Sequence, residues 1–186
     1  MVAAALMNRT LGATLGAVGA LAFLIVMVIT GALPKQRQFV QFEARGVMQL
    51  APERITSVAL RTGKRGAVFE RTPSGGWARA GGTQLDTTLA RRMSLAVQFM
   101  NTSAPVRVLA PGDDQAATLH DYGLDQPSLS IALFEGPRQI IAAHFGARNP
   151  DDYLQYVAVE GRRELYLLSR FVGQEWAAVA DGALPR

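Results

Sequence analysis

The chain predicts an α+β fold, an antiparallel sheet with two or three helices packed on it, preceded by one transmembrane helix. Three observations carry that prediction. Leu11 to Leu33 contains no charged side chain. After it come short segments with apolar residues at every second position, joined by Gly, Pro, Asn and Asp turns. Two segments among them shift to apolar spacings of three and four residues, the period of a helix.

The apolar run reads "LGATLGAVGALAFLIVMVITGAL". As a helix its roughly 23 residues rise about 34 Å, against a hydrocarbon core of about 30 Å. Thr30-Gly31-Ala32 offers the small residues of a signal-peptide cleavage site. The run nevertheless exceeds the roughly 7–15 apolar residues of a signal peptide, so a retained transmembrane helix is expected. Gly12, Gly16 and Ala20 recur every four residues and share one helix face. Small residues there let two helix backbones approach closely, which makes this face the candidate helix–helix interface. An alanine- and glycine-rich helix without a partner has the same letters. The flanking charges, Arg9 on one side and Lys35, Arg37 and Arg45 on the other, lean slightly toward a cytoplasmic C-terminal domain.

Hydrophobic residues make up 49% of the chain and charged residues 18%, and the apolar excess lies in that single run. The chain has no cysteine, which excludes disulfides, zinc–thiolate sites and a cysteine nucleophile. The net charge of +4 is scattered from Arg9 to Arg186. A nucleic-acid binder concentrates its charge in a stripe with interleaved aromatics, so no nucleic-acid partner is read here. The domain plan is residues 1–33 for the tail and membrane helix, 34–54 for a juxtamembrane connector without a clear period, and 55–186 for the globular part.

Within the globular part, "ITSVALRT" (55–62) alternates at Val58 and Leu60. Turns at Gly63–Gly66 and Pro73–Gly76 lead to "AVFERT" and "WARA", completing a β-meander. Thr83 with Asp86 resembles a capping box. The helix after it buries Leu85, Leu89, Met93, Ala96 and Met100 on one face and ends near Asn101–Ser103. "APVRVL" (104–109) reads as a strand. "DDQAATLHDYG" (113–123) reads as a short helix, capped by Asp113 or Asp114 and stopped by Gly123. Leu129, Ile131 and Leu133 then mark the cleanest strand, followed by "QIIAAHFG", "YLQYVAVE" and "ELYLLS". Ser169 caps a last helix, "RFVGQEWAAVAD" (170–181). Antiparallel strands with interspersed helices place the helices on one sheet face.

This order of elements resembles a bacterial family called domain of unknown function 4340, over about Ile55 to Ala180. The structural signature is Tyr122, Gly123, Leu124, Asp125 and Pro127, with Gln126 between them and a strand after them. Gly146 with Tyr153–Tyr156 is the second match, and Trp77 and Asp86 are weaker ones. Members of the family include the C-terminal parts of GldG-like auxiliary proteins of ABC-type transport systems. The resemblance implies a membrane-associated domain on the extracytoplasmic side and no established catalytic residues. The chain departs from GldG-like members by lacking their long upstream domains.

"HDYGLDQPSLSIALFEG" (120–136) offers His120, Asp121, Tyr122 and Asp125 as candidate chemistry. Helical neighbours such as His120 and Asp121 do not face each other, which makes them poor dyad partners. Turn chemistry accounts for more of these letters. Gly123 stops the helix, Leu124 folds back as its apolar contact, and Asp125 bonds nearby amides. Pro127 holds Gln126 extended ahead of the strand. His144, the other histidine, shares a face with Ile140 and Ala142 by alternation and reads as a packed or surface residue. Asp151-Asp152 lacks the alternating oxygen ligands of a calcium loop. No metal site, cofactor or catalytic residue is read. Arg148, Tyr153 and Tyr156 are the candidate partner or ligand surface.

The expected function is a non-catalytic accessory or scaffold subunit of a bacterial inner-membrane complex. It would be single-pass and in contact with lipid and with other membrane subunits, its C-terminal domain periplasmic as the resemblance implies. The alternative is a ligand- or peptide-binding auxiliary module of an ABC-type transport system.

Overall fold

The computed structural model describes residues 18–23, 25–27, 46–112 and 118–184. The chain divides into two compact units, Met1–Phe42 and Glu43–Arg186. In the first, residues 18–23 and 25–27 are helical, with Val18, Leu21, Phe23, Ile25 and Val26 exposed. No helix among the described residues is long and apolar enough to cross a membrane. Gly12, Gly16 and most of the predicted span lie outside the described residues. Ala20 is in the helical part, exposed.

The second unit is α+β. Its strands are β1 (Ser57–Thr62), β2 (Arg65–Arg71), β3 (Trp77–Arg79), β4 (Arg107–Leu109), β5 (Leu129–Glu135), β6 (Arg138–Arg148), β7 (Leu154–Val159) and β8 (Leu165–Ser169). They form one sheet in the order β3-β2-β1-β5-β6-β7-β8-β4, with every neighbouring pair antiparallel. Helix α1 (Thr87–Thr102) carries the chain from the β3 edge to the β4 edge, and α2 (Arg170–Ala183) follows β8 directly.

Side chains alternate across a strand, so one parity faces the helices. Val58 and Leu60 of β1, Leu129, Ile131 and Leu133 of β5, and Ala143 and Phe145 of β6 join Met93, Met100, Trp176 and Val179 in the core. Trp77 closes the β3 end, its Nε1 donating to Ser94 Oγ at 2.9 Å and its ring 4.5 Å from the Arg71 guanidinium.

The folded unit begins before Ile55, because Gly46–Leu50 belongs to it. Val47 and Met48 are buried in the core, and Asn101 Nδ2 donates to the carbonyls of Met48 and Leu50, each at 3.1 Å. A polar residue at the end of α1 thereby holds a segment too short and irregular to show a period.

Three local expectations change. The cap of α1 is Asp86 alone, whose Oδ1 accepts from Thr88 N and Leu89 N at 2.9 and 3.0 Å. Thr83 instead serves the β3 turn, where its carbonyl accepts from Arg79 N. Residues 118–123 form hydrogen-bonded turns rather than helix, and 113–117 lie outside the described residues. Ile140 does not share the face of His144. The β5–β6 register shifts after Leu133, which pairs with Ile141, while Phe134 pairs with Gln139. Ile140 is the extra residue of that bulge and packs against the core.

Candidate functional site

The sheet face opposite the helices is where chemistry collects. Val68, Ala59, Ala132 and Ala142 stand directly opposite one another across β2, β1, β5 and β6. Three of the four side chains are single methyl groups, so the floor lies below its neighbours and forms a trough of about 420 Å³. Four strands at about 4.8 Å spacing give it a length of roughly 14 Å.

A polar row borders this floor. Arg61, Ser130, His144 and Ala158 are successive cross-strand partners. Ser130 Oγ lies 2.9 Å from His144 Nδ1, and His144 Nε2 lies 3.3 Å from Glu160 Oε1. Gln139 Nε2 donates to the other Glu160 oxygen at 3.3 Å. Serine, imidazole and carboxylate in series are the parts of an acyl-transfer site. Such a site also needs donors, backbone amides or side chains, aimed at the developing oxyanion. Ser130 sits in a strand paired on both sides, where ladder hydrogen bonds occupy the backbone donors. The trio forms a hydrogen-bonded polar edge along the trough. At the other end of the row Arg61 is exposed, with no hydrogen-bond or ion-pair partner among the described residues, its stem lying along Gly66.

Sequence reasoning reached His144 but not this grouping. Ser130 and Glu160 meet it only through strand register, which alternation within one strand does not reveal. The usable signal was parity, since Ser130 alternates with the apolar Leu129 and Ile131.

The Tyr122–Pro127 turn docks on β6 and β7. Tyr122 packs on Tyr156 with ring centroids 4.6 Å apart and planes inclined at 44°. Ala147 N donates to Tyr122 O at 2.7 Å, and Leu124 is buried. Gly123 has φ +64, the left-handed conformation that glycine tolerates best. Asp121 accepts from the backbone and hydroxyl of Thr118 at 2.6 and 2.8 Å. His120 Nδ1 lies 2.9 Å from Asp125 Oδ2.

That last contact has a measurable sign. The hydrogen bond to Asp125, then its charge, raises the His120 pKa above its ordinary value of 6.5 and lowers that of Asp125. The pair's contribution to stability is full between the ordinary carboxylate and histidine values, fades as pH rises through the raised His120 value, and is lost as pH falls through the lowered Asp125 one. In an NMR titration Asp125→Asn should return His120 toward its ordinary midpoint, whereas an unmoved midpoint would show that the pair does not form.

Arg148 and Tyr153 come together around Asp152 at the β6–β7 turn. Arg148 Nη1 and Arg170 Nη1 donate to separate Asp152 oxygens at 2.9 and 2.8 Å. The Arg148 hydrogen bond, followed by its charge and by Arg170, holds the Asp152 carboxyl below its ordinary range. Tyr153 is exposed, with Arg170 5.9 Å from its ring. Tyr156 is not part of this cluster, being on the opposite sheet face against Tyr122.

No family model, curated protein or solved structure matches the chain.

Proposed function

We propose that the chain is a non-catalytic accessory or scaffold subunit of a bacterial inner-membrane complex, anchored by one helix within Leu11–Leu33, with the Glu43–Arg186 unit in the periplasm. The observation that carries this reading is the run of exposed apolar side chains on helical backbone, Val18, Leu21, Phe23, Ile25 and Val26, inside a charge-free stretch. Such side chains are stable against lipid or a partner helix rather than water. The resemblance to domain of unknown function 4340 supports the extracytoplasmic placement.

Purification of the full chain in mild detergent, with mass spectrometry of co-eluting proteins, tests this reading. Stoichiometric membrane subunits are expected. A chain released by carbonate washing, or one that elutes alone, overturns it. A periplasm-active reporter fused after Arg186 should be active, and silence there would reverse the orientation.

A second reading, a ligand- or peptide-binding auxiliary module of an ABC-type transport system, is favoured by the trough on the open sheet face.

A further inference from the structure

The concave regions of the globular unit differ in what their polar groups are already doing. In the cavity of about 260 Å³ between α2 and the sheet, Arg148 is held by Asp152 and Gln155 Nε2 donates to Gly146 O at 2.9 Å. A smaller recess of about 200 Å³ beside Leu119 and Tyr122 offers, among the described residues, Arg163 alone as a charge. The trough over Ala59, Ala132 and Ala142 differs from both, because it sets the Glu160 carboxylate opposite a guanidinium, Arg61, that no described residue engages.

Arg61 stands at the β1 end without a hydrogen-bond or ion-pair partner among the described residues. Glu160 stands at the far end, just past β7, its amide donating to Ala142 O at 2.9 Å. Three strand spacings separate these ends laterally, roughly 14 Å. Between them lies a floor of methyl groups, flanked by the Ser130 hydroxyl and the His144 ring.

We propose that this trough binds a short apolar peptide with free termini, its carboxylate on Arg61, its ammonium on Glu160 and its apolar side chains on the alanine floor. The inference rests on the second reading above, that the open face is a ligand site. Extended peptide advances about 3.3 Å per residue, so three to five residues span the two charges. A guanidinium matches a carboxylate in fork geometry. A lone anion has no counterpart at the Glu160 end, and a lone cation has none at Arg61. Apolar side chains follow from the floor, which presents methyl groups and no hydrogen-bonding side chain.

The test uses the full chain in detergent and the tetrapeptide Ala-Val-Ala-Val as probe, with calorimetric readout. Saturable binding is expected. C-terminal amidation and Arg61→Gln should each weaken it about two- to fivefold, the range of one exposed ion pair. Combined, the two should weaken it no further than either alone. N-terminal acetylation and Glu160→Gln should behave as a second such pair. All these positions are exposed, so unchanged circular dichroism is expected of each variant. Anilinonaphthalene sulfonate, with Ala132→Trp to fill the trough, separates the two levels of the claim. If the dye binds and is displaced by the tryptophan while the peptide does not bind, or binds regardless of its termini, the peptide inference falls and the ligand-site reading stands. If neither binds, both fall.

Discussion

Gly146→Val is expected to destabilise the globular unit by about 3–5 kcal/mol and to release the Tyr122–Pro127 turn from the sheet. Gly146 is buried on β6, where a Cβ would overlap the Tyr122 carbonyl oxygen and lie 2.9 Å from Leu124 Cγ. The turn cannot retreat without loss. The Tyr122 carbonyl accepts from Ala147 N, the Tyr122 ring packs on Tyr156, and Leu124 is 8% exposed. Overpacking, one lost buried hydrogen bond and partial exposure of a leucine act together. Gly123 approaches from the other side, and a Cβ on it would lie 2.8 Å from Ala147 N. Gly146→Ala and Gly123→Ala therefore disrupt the same contact, and the double variant should cost less than the sum of the two. Urea midpoints measure the stability. Amide exchange across 118–128 should rise in Gly146→Ala before it rises in β5. Wild-type midpoints for Gly146→Val would mean that the turn does not sit on β6 as described.

This contact also shows what was legible in the sequence. Gly123 and Gly146 both stand out there, one as a helix stop and one as a mark of family resemblance. Neither role required knowing that the two glycines let one backbone touch another. The strands were legible because burial on one face imprints alternation, as in Leu129, Ile131 and Leu133. The helices were legible because Leu89, Met93, Ala96 and Met100 repeat at helical spacing.

Strand order was not legible. Nothing in Arg107–Leu109 says that it pairs with β8 at the far edge, since that follows from where α1 ends. Gly46–Leu50 was missed because it is held by the Asn101 side chain and not by a period of its own. The trough was missed because it is a property of register. Ala59, Ala132 and Ala142 are ordinary alanines until three strands bring them into line, and only then do Arg61 and Glu160 become the ends of one site.

The two core tryptophans make the second large prediction, because similar burial hides different hydrogen bonding. Trp176→Ala should cost about 3–5 kcal/mol, as large-to-small core changes do. That is a large part of the roughly 5–15 kcal/mol that holds a domain folded. Trp176 is 0% exposed in α2 and packs with the β-sheet core. Its Nε1 is the one buried side-chain polar atom without a hydrogen-bond partner among the described residues. Trp77 is 1% exposed, yet its Nε1 donates to Ser94 Oγ. The phenylalanine variants should therefore part company. Trp77→Phe loses a made hydrogen bond and leaves Ser94 Oγ without its donor. Trp176→Phe removes an N–H whose desolvation already costs the native state about 1–3 kcal/mol, which offsets much of the lost ring volume. Trp176→Phe should thus lie within about 1 kcal/mol of wild type and be milder than Trp77→Phe. Urea midpoints at constant m-value decide the matter. Equal costs for the two phenylalanine variants would mean that the Trp176 indole has an acceptor after all, such as a buried water.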